Sequence, residues 1–276
     1  MAFQELRSVL RENLPSPVVS GLKHTYLGLE RAYHRCKTAE TASVQTTIYL
    51  NTATCRTFIG LNNFYSWLGA DKAGQAHAKV VFFNPQGETL LTVKRPLEFF
   101  GSCMIDVRAL FTEHRAQTEF GIFTVAVRPN NPWNVAAKKI GKSTAIFYCF
   151  YQDDNGSIGL IHPNARIGTV APVQNWNSLQ VISTQGLASV VLYQMHGGNY
   201  AHQSTYRLVE LASGEELASR VVEYRPYGSA RIEFRLDELA RVPAEILLKA
   251  DSLPSSNAKP LLLRVYKNGL FSISHS

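Results

Sequence analysis

The feature of this sequence that most constrains its fold is an internal repeat. When Gly87 is aligned with Gly214, two 30-residue stretches match without a gap, Val81 to Leu110 and Leu208 to Asp237. Self-similarity at a fixed spacing means that one structural unit is used more than once. The chain is therefore predicted to contain two copies of one module.

The matched positions carry the turn residues of β-structure. Two segments are predicted hairpin turns in which glycine takes positive φ: Pro85-Gln86-Gly87 and Ala212-Ser213-Gly214. The strands that follow are predicted to end at a second turn, where Gly101 or Gly228 allows a tight reversal.

The residues after the second turn alternate in polarity with a period of two, which is typical of a strand with one buried and one solvated face. In the first copy the apolar residues are Ile105, Val107 and Ala109, and the charged ones are Asp106 and Arg108. In the second copy the apolar residues are Ile232, Phe234 and Leu236, and the charged ones are Glu233 and Arg235. The charged residues are interpreted as exposed ion pairs, which contribute little energy.

Both copies also end in the same way. Residues 155–162 align without gaps on residues 268–275, and each stretch begins with Asn-Gly after an apolar strand, Ala145 to Tyr151 or Leu261 to Tyr266. Asn-Gly between such runs is the strongest short-range signal for a hairpin. Each module is therefore predicted to close with a hairpin.

The N-terminal residues have a different period. Phe3, Leu6, Leu10 and Leu14 recur at helical spacing before Pro15 and Pro17, and a second stripe follows at Val19, Leu22, Tyr26, Leu29 and Tyr33. These helices are expected to dock on the modules or on a second subunit as a homo-oligomer contact. The alternative is an interfacial membrane helix, which Glu5, Glu12 and Glu30 disfavour.

The predicted fold is mainly β, with two tandem homologous antiparallel β-sandwich modules behind a short helical N-terminal segment. The boundaries are residues 1–40 for the helical segment, 44–164 for the first module, 165–185 for the connection and 186–276 for the second module.

Each module resembles the small cytoplasmic β-sandwich modules typified by the sensory rhodopsin transducer. The resemblance lies in the succession of strands, a Gly turn, a Gly-Ser turn and a strand ending in Asp-Leu; its best piece is Arg231 to Leu239, with Met104 to Leu110 as counterpart. It implies a non-catalytic, oligomeric binding module and assigns a role to no residue.

Charge and cysteine usage limit the partners and the compartment. The net charge of +7 is spread along the chain without the dense basic stripe of a nucleic-acid surface, so nucleic acid and anionic membrane are the less favoured partners. Four cysteines stand far apart with no CxxC pair, and the N-terminus has no apolar signal region. We expect reduced thiols, no metal or other cofactor, and a cytoplasmic protein.

Histidines provide the first candidate site. His162 and His275 end the two equivalent hairpins and are candidates to face a ligand, a metal or the sister module, with a structural cap as the favoured alternative. His196, Tyr200 and His202 lie in a Gly-rich turn of the second module. With no Cys or carboxylate nearby, these two histidines are a weak zinc signal.

The second candidate site is the loop from Asn62 to Lys72. Asn62, Tyr65 and Trp67 combine aromatic rings with amide chemistry, which suits protein recognition or sugar stacking. Alternatively, Phe64 and Trp67 plug the end of the sandwich.

The favoured function is a non-enzymatic binding or assembly protein that engages a protein or carbohydrate partner through sandwich loops and edges. The chain has no Gly-x-Ser-x-Gly elbow and no HExxH motif. Two alternatives remain: an enzyme with a site built by loops around the histidines, and binding of nucleic acid or anionic membrane to a basic surface.

Overall fold

The structure, a computed structural model, describes residues 44–63, 65–66, 75–129, 146–163, 173–174, 180–196, 198–254 and 260–275, together with Thr25. The predicted N-terminal helices lie outside these residues, apart from Thr25. The described chain is mainly β, and every paired strand is antiparallel. No helix of the described residues has the length and apolar character to cross a bilayer.

The first half of the described chain forms eight strands rich in β-branched and aromatic residues. They are β1 Val44–Leu50, β2 Cys55–Asn62, β3 Ala76–Phe83, β4 Thr89–Leu97, β5 Ser102–Asp106, β6 Phe120–Pro129, β7 Phe147–Asp153 and β8 Ile158–Ile161. One helix, α1 Val107–Glu113, lies between β5 and β6.

The second half forms ten more strands. They are β9 Val173–Gln174, β10 Gln180–Ser183, β11 Leu187–Met195, β12 His202–Glu210, β13 Glu216–Tyr224, β14 Ser229–Arg235, β15 Glu245–Ala250, β16 Ser252–Leu253, β17 Leu261–Tyr266 and β18 Phe271–His275. A 3-10 turn, Leu236–Glu238, follows β14.

The strands form four four-stranded sheets and one two-stranded ribbon, β16-β9. The first sheet pair consists of β1-β6-β3-β4 and β5-β2-β7-β8, and the second sheet pair consists of β10-β15-β12-β13 and β14-β11-β17-β18. If β9 and β16 are set aside, the two pairs have the same strand order. In both pairs the helical turn follows the same strand, β5 or β14.

Each sheet pair encloses an apolar core, which gives a β-sandwich-like arrangement. In the first pair Phe123 and Phe147, from opposite sheets, have ring centroids 5.2 Å apart. In the second pair Phe234 and Leu208, again from opposite sheets, belong to one buried cluster. The cores thus form between the sheets, as expected for strands that alternate inward and outward residues.

The two sheet pairs also pack on each other through a surface that we call the junction face. It is the side of β14-β11-β17-β18 that points away from the second core, and its buried residues join the first core: Val191, Tyr193, Met195, Leu261 and Leu263. Tyr193 meets Phe120 edge-on at 5.4 Å. A second contact joins two turns, where Ser229 N donates to Pro85 O at 2.9 Å.

The predicted Asn-Gly hairpins are confirmed. In β7–β8, Asp153 N donates to Ser157 O at 3.1 Å and Gly156 N donates to Asp153 O at 3.2 Å. The same pair of bonds recurs in β17–β18, where Gly269 occupies the position of Gly156. The loops have three residues, and the glycine is the third, with φ of +86° and +82°.

The predicted tight reversals at Gly101 and Gly228 are found, and a Cβ atom at Gly101 would stand 3.0 Å from Glu98 O, but glycine does not supply the positive φ. The residue with positive φ precedes the glycine in both copies: Phe100 has a φ of +53° and Tyr227 a φ of +57°. Gly101 N closes the first turn on Glu98 O at 2.8 Å, and Gly228 N closes the second on Arg225 O at 2.9 Å. By contrast, the expected positive φ at Gly87 and Gly214 is found, at +86° and +75°.

The prediction of a strand through Val107 and Ala109 is also wrong. Strand β5 ends at Asp106, whose side chain accepts hydrogen bonds from Arg108 N at 2.9 Å and Ala109 N at 3.2 Å. An aspartate in this position satisfies the free N–H groups of a first helical turn. Val107, Leu110 and Phe111 then face the core at helical spacing.

In the second copy, Ile232 and Phe234 alternate inward in β14 as predicted, whereas Leu236 lies in the 3-10 turn. Exposed ion pairs occur there, but they join Arg231 to Glu233 at 2.6 Å and Arg235 to Asp237 at 2.8 Å rather than Glu233 to Arg235 as predicted.

Candidate functional site

The first sheet pair leaves a large apolar surface open to solvent. We call it the outer face: the side of β5-β2-β7-β8 that points away from the first core. Met104 is 58% exposed, Tyr148 39%, Leu160 56% and Ile158 64%. Scattered exposed apolar residues are ordinary, but a contiguous group on one sheet face marks an interaction surface.

Strand register makes this group contiguous. One row crosses the sheet through Met104, Gly60 and Tyr148, and the next passes through Phe58, Phe150 and Leu160. Residues directly opposite each other on one face of an antiparallel sheet have Cβ atoms about 4.5–5.5 Å apart, so the row through Phe58, Phe150 and Leu160 is a continuous contact, whereas the other row is interrupted at Gly60. The outer face is thus a platform that crosses the whole sheet.

A shallow depression lies in this platform at Gly60. It has a volume of about 170 Å³ and is lined by Gly60, Leu61, Asn62, Ser102, Cys103, Met104, Tyr148 and Phe150. A Cβ atom at Gly60 would stand 3.1 Å from Phe150 Cε2, so the missing side chain creates the space. Pockets for drug-sized ligands are larger, about 300–1,000 Å³. The depression fits a single side chain better than a cofactor.

The charged side chains that point outward in these four strands are Arg56 and Asp106. The Arg56 guanidinium donates to Gln152 Oε1 from Nε at 3.2 Å and from Nη2 at 2.9 Å, and its Cζ lies 4.9 Å from the ring centroid of Phe58. Its Nη1 is 3.9 Å from Asp106 Oδ2. The two charges are thus adjacent and opposite.

The equivalent side of the second sheet pair is the junction face, and strand register allows a comparison position by position. Phe58 pairs with Asp106 as Val191 pairs with Glu233, so Phe58 corresponds to Val191. In the same way Gly60 pairs with Met104 as Tyr193 pairs with Arg231, so Gly60 corresponds to Tyr193. On the neighbouring strand Tyr148 corresponds to Leu261, Phe150 to Leu263, Leu160 to Ile273 and Ile158 to Phe271. Tyr148 is exposed and Phe58 and Phe150 are half-buried, whereas their counterparts Leu261, Val191 and Leu263 are buried between the sheet pairs.

The structure separates the residues of the predicted loop site. Asn62 is exposed and lines the depression. Tyr65 is only 4% exposed, and its hydroxyl donates to Val127 O at 2.9 Å, which is the role of a plug at the end of the sandwich. Burial raises the pKa of Tyr65 to about 12. Trp67 lies outside the described residues.

The structure brings His162 and His275 together. Their Nε2 atoms are 2.9 Å apart, and the ring centroids are 4.5 Å apart. His162 Nδ1 also lies 3.0 Å from Pro163 O. Within the described part of the chain, no three His, Cys, Asp or Glu side chains are grouped closely enough to hold a metal ion. The pair therefore joins the last strands of the two sheet pairs to each other.

His196, Tyr200 and His202 are also brought together, at one end of the second sheet pair. His196 is fully buried, and its Nε2–H donates to the carbonyl oxygen of Tyr200. His202 Nε2 lies 3.0 Å from Ser204 Oγ and 3.1 Å from Ser252 Oγ. Sequence reasoning missed both serines: Ser252 comes from a separate strand that only the fold brings to His202, and Ser204, two residues after His202 in β12, belongs to no recognised motif.

A histidine beside two serine hydroxyls invites comparison with a hydrolase, but the geometry favours a structural network. Ser204 is 1% exposed and Ser252 is 4% exposed, and Ser204 Oγ donates to Ser252 O at 2.9 Å. A nucleophile must be reachable by its substrate. Burial is also the main cause that lowers the pKa of His196 and His202, which keeps both rings neutral at pH 7.

Comparisons with known proteins do not identify the chain. No family model matches it, and no curated protein matches it. A solved structure described as an anti-sigma factor domain-containing protein is similar at 8% identity and a TM-score of 0.22, covering 84% of this chain and 81% of that chain. A Bacteroides uniformis β-glucuronidase is similar at 8% identity and a TM-score of 0.19. This chain covers 27% of that enzyme's length. Such low TM-scores support no conclusion.

The outer face was not among the sites predicted from sequence, although a signal for it exists. Residues 147–151 read Phe-Tyr-Cys-Phe-Tyr, and residues 158–161 read Ile-Gly-Leu-Ile. A strand that is apolar without alternation is typical of a sheet covered on both faces. These strands have a core on one side only within the described chain.

Proposed function

We propose that this chain is a non-enzymatic binding or assembly protein that engages a protein partner through the outer face. The observation that carries the proposal is the contiguous exposure of large apolar side chains across β5-β2-β7-β8, at Met104, Tyr148, Ile158 and Leu160. Burying such a surface stabilises a complex by roughly 25 cal/mol per Å² of apolar area, before the costs of association.

The chemistry of the outer face favours a protein over a carbohydrate. A sugar site needs polar groups that bond to hydroxyls beside the stacking ring, whereas most exposed side chains here are aliphatic or thioether. Arg56 is already held by Gln152 and Phe58. Apolar cores with a polar rim and few charges are typical of protein–protein interfaces.

We further infer that the two sheet pairs are tandem homologous modules produced by duplication. The shared strand order, the equal hairpins at Gly156 and Gly269, and the positive φ at Phe100 and Tyr227 support this. The inference matters for function because the junction face already acts as an interface, and the outer face is its counterpart.

A reducing compartment such as the cytoplasm fits this proposal. Cys55 and Cys149 are free thiols in the first core, on neighbouring strands. Burial raises the pKa of each to about 12, which keeps both protonated and unreactive.

Site-specific photo-crosslinking in cells tests the proposed function. A photoreactive phenylalanine analogue placed at Tyr148 should give a discrete adduct, and Leu160→Glu in the same chain should abolish it. The same analogue at Val221, which is 62% exposed on β13, provides the control and should give no such adduct. No adduct from position 148, or one that Leu160→Glu leaves unchanged, would overturn the proposal.

A further inference from the structure

We propose that the partner of the outer face is a second copy of this chain, and that two copies pack their outer faces together about a two-fold axis. The inference rests on the proposed function and names its partner. Three observations carry it. The outer face is equivalent to the junction face, the β10 edge of another copy does not match the outer face, and the charges of the outer face balance.

The first observation is that the chain already uses this sheet as an interface with itself. In the second sheet pair the corresponding positions are buried against the first pair; Val191 and Tyr193 are each 3% exposed and Leu261 is 2% exposed. The corresponding outer-face positions on β7 are also large and apolar, Tyr148 and Phe150. Along β7 the outer face thus matches the apolar character of the junction face, whereas Met104 on β5 corresponds to the exposed Arg231.

The second observation excludes head-to-tail stacking that would repeat the internal contact. Within the chain, the junction face packs beside β1 and Phe120. The strand equivalent to β1 in the second sheet pair is β10, so head-to-tail stacking would place the outer face of one copy beside β10 of the next. Strand register places Glu245 there in the position of Phe120, and Ser183 in the position of Leu50. The aromatic group that receives Tyr193 has no counterpart on β10 or β15, so this edge does not match.

The third observation is that the outer face is complementary to itself in charge. The chain carries a net charge of +7, yet the outward charges of these four strands are one Arg56 and one Asp106, 3.9 Å apart. A two-fold axis brings the same surface of both copies together. It therefore brings no excess of positive charge into the interface. Two sheets packed face to face lie about 10 Å apart, which suits interdigitation of Met104, Tyr148 and Leu160.

The test is the solution mass of the purified full-length chain, measured by light scattering on a sizing column at micromolar concentrations. The wild type should have twice the chain mass of 30.7 kDa. Leu160→Glu should halve that mass, because it places a carboxylate in the apolar interface. Val221→Glu, at a residue of similar exposure outside the outer face, should leave the mass at twice the chain value.

The possible results are distinct. A wild-type mass of one chain overturns the inference, and so does a doubled mass that Leu160→Glu leaves unchanged, since the copies would then associate through another surface such as residues 1–40. A monomer that still gives a crosslink from Tyr148 to a different protein overturns only the second copy as partner. A monomer without any crosslink overturns the proposed function as well.

Discussion

At the scale of single residues, the two sheet pairs place equivalent glycines in different surroundings. Gly87 and Gly214 occupy corresponding hairpin turns and both have positive φ. A Cβ atom at Gly214 meets nothing within 4 Å, whereas one at Gly87 would stand 2.2 Å from Pro226 O. Positive φ favours glycine in both turns. Only at Gly87 does the contact with the neighbouring turn at Pro226 also leave no room for a side chain.

This difference predicts unequal costs for the same substitution. Gly214→Ala should lower the free energy of unfolding by about 1–2 kcal/mol, the cost of a left-handed conformation for an ordinary residue. Gly87→Ala should cost roughly 1–3 kcal/mol more, because the turn must also move away from Pro226. Equilibrium unfolding in urea measures both values. Equal losses would show that the turns do not meet as described.

At the scale of elements, the hairpins and repeated turns follow from local chemistry and were predictable. Asn155-Gly156 and Asn268-Gly269 favour hairpin loops through local backbone conformation, because each glycine takes positive φ. The strand predicted through Val107 failed because residues 105–109 fit two periods at once. Asp106 caps the helix that begins at Val107, and this favours the helical period over the strand period. An aspartate can be identified as a cap from sequence only when a helix is already predicted after it.

The candidate sites were less predictable than the elements. The histidines His162 and His275 were found because the repeat places them in equivalent positions, but their contact depends on how the sheet pairs pack. The outer face has no motif. It is defined by exposure, and exposure is known only once the fold shows that one side of an apolar strand has no cover.

The histidine network at the end of the second sheet pair predicts a dependence of stability on pH. Burial lowers the pKa of His196 and His202 from the ordinary value of 6.5. At pH values above 6.5, both histidines are neutral in the folded and in the unfolded chain, so they do not lower the free energy of unfolding. As the pH falls below this value, the unfolded chain binds protons that the folded chain does not, so the free energy of unfolding decreases.

Urea unfolding between pH 7.5 and pH 5 measures this loss. His202→Gln should reduce the slope of stability against pH. Val221→Gln, which changes an exposed residue and adds no titratable group, is the control and should leave the slope unchanged. A slope that is the same in wild type and His202→Gln would remove His202 from the explanation.

At the scale of the whole molecule, equivalent sheet faces of the two sheet pairs have different surroundings. The junction face joins the two sheet pairs into a single body through Tyr193 and its neighbours, and the outer face presents the same sheet to solvent. In our account the second surface joins two chains, so the assembly contains four sandwich-like units. The contact between His162 and His275 lies between sheet pairs within one chain and takes no part in the contact between chains.

The central claim is that the outer face is covered in solution, and hydroxyl-radical footprinting at Met104 tests it most directly. Met104 should be oxidised several-fold more slowly in the wild-type protein than in Leu160→Glu at equal concentration. Tyr227, which is 39% exposed away from the outer face, should react equally in both. Equal oxidation of Met104 in the two proteins would contradict the account, because it would mean that the outer face is open in the native state.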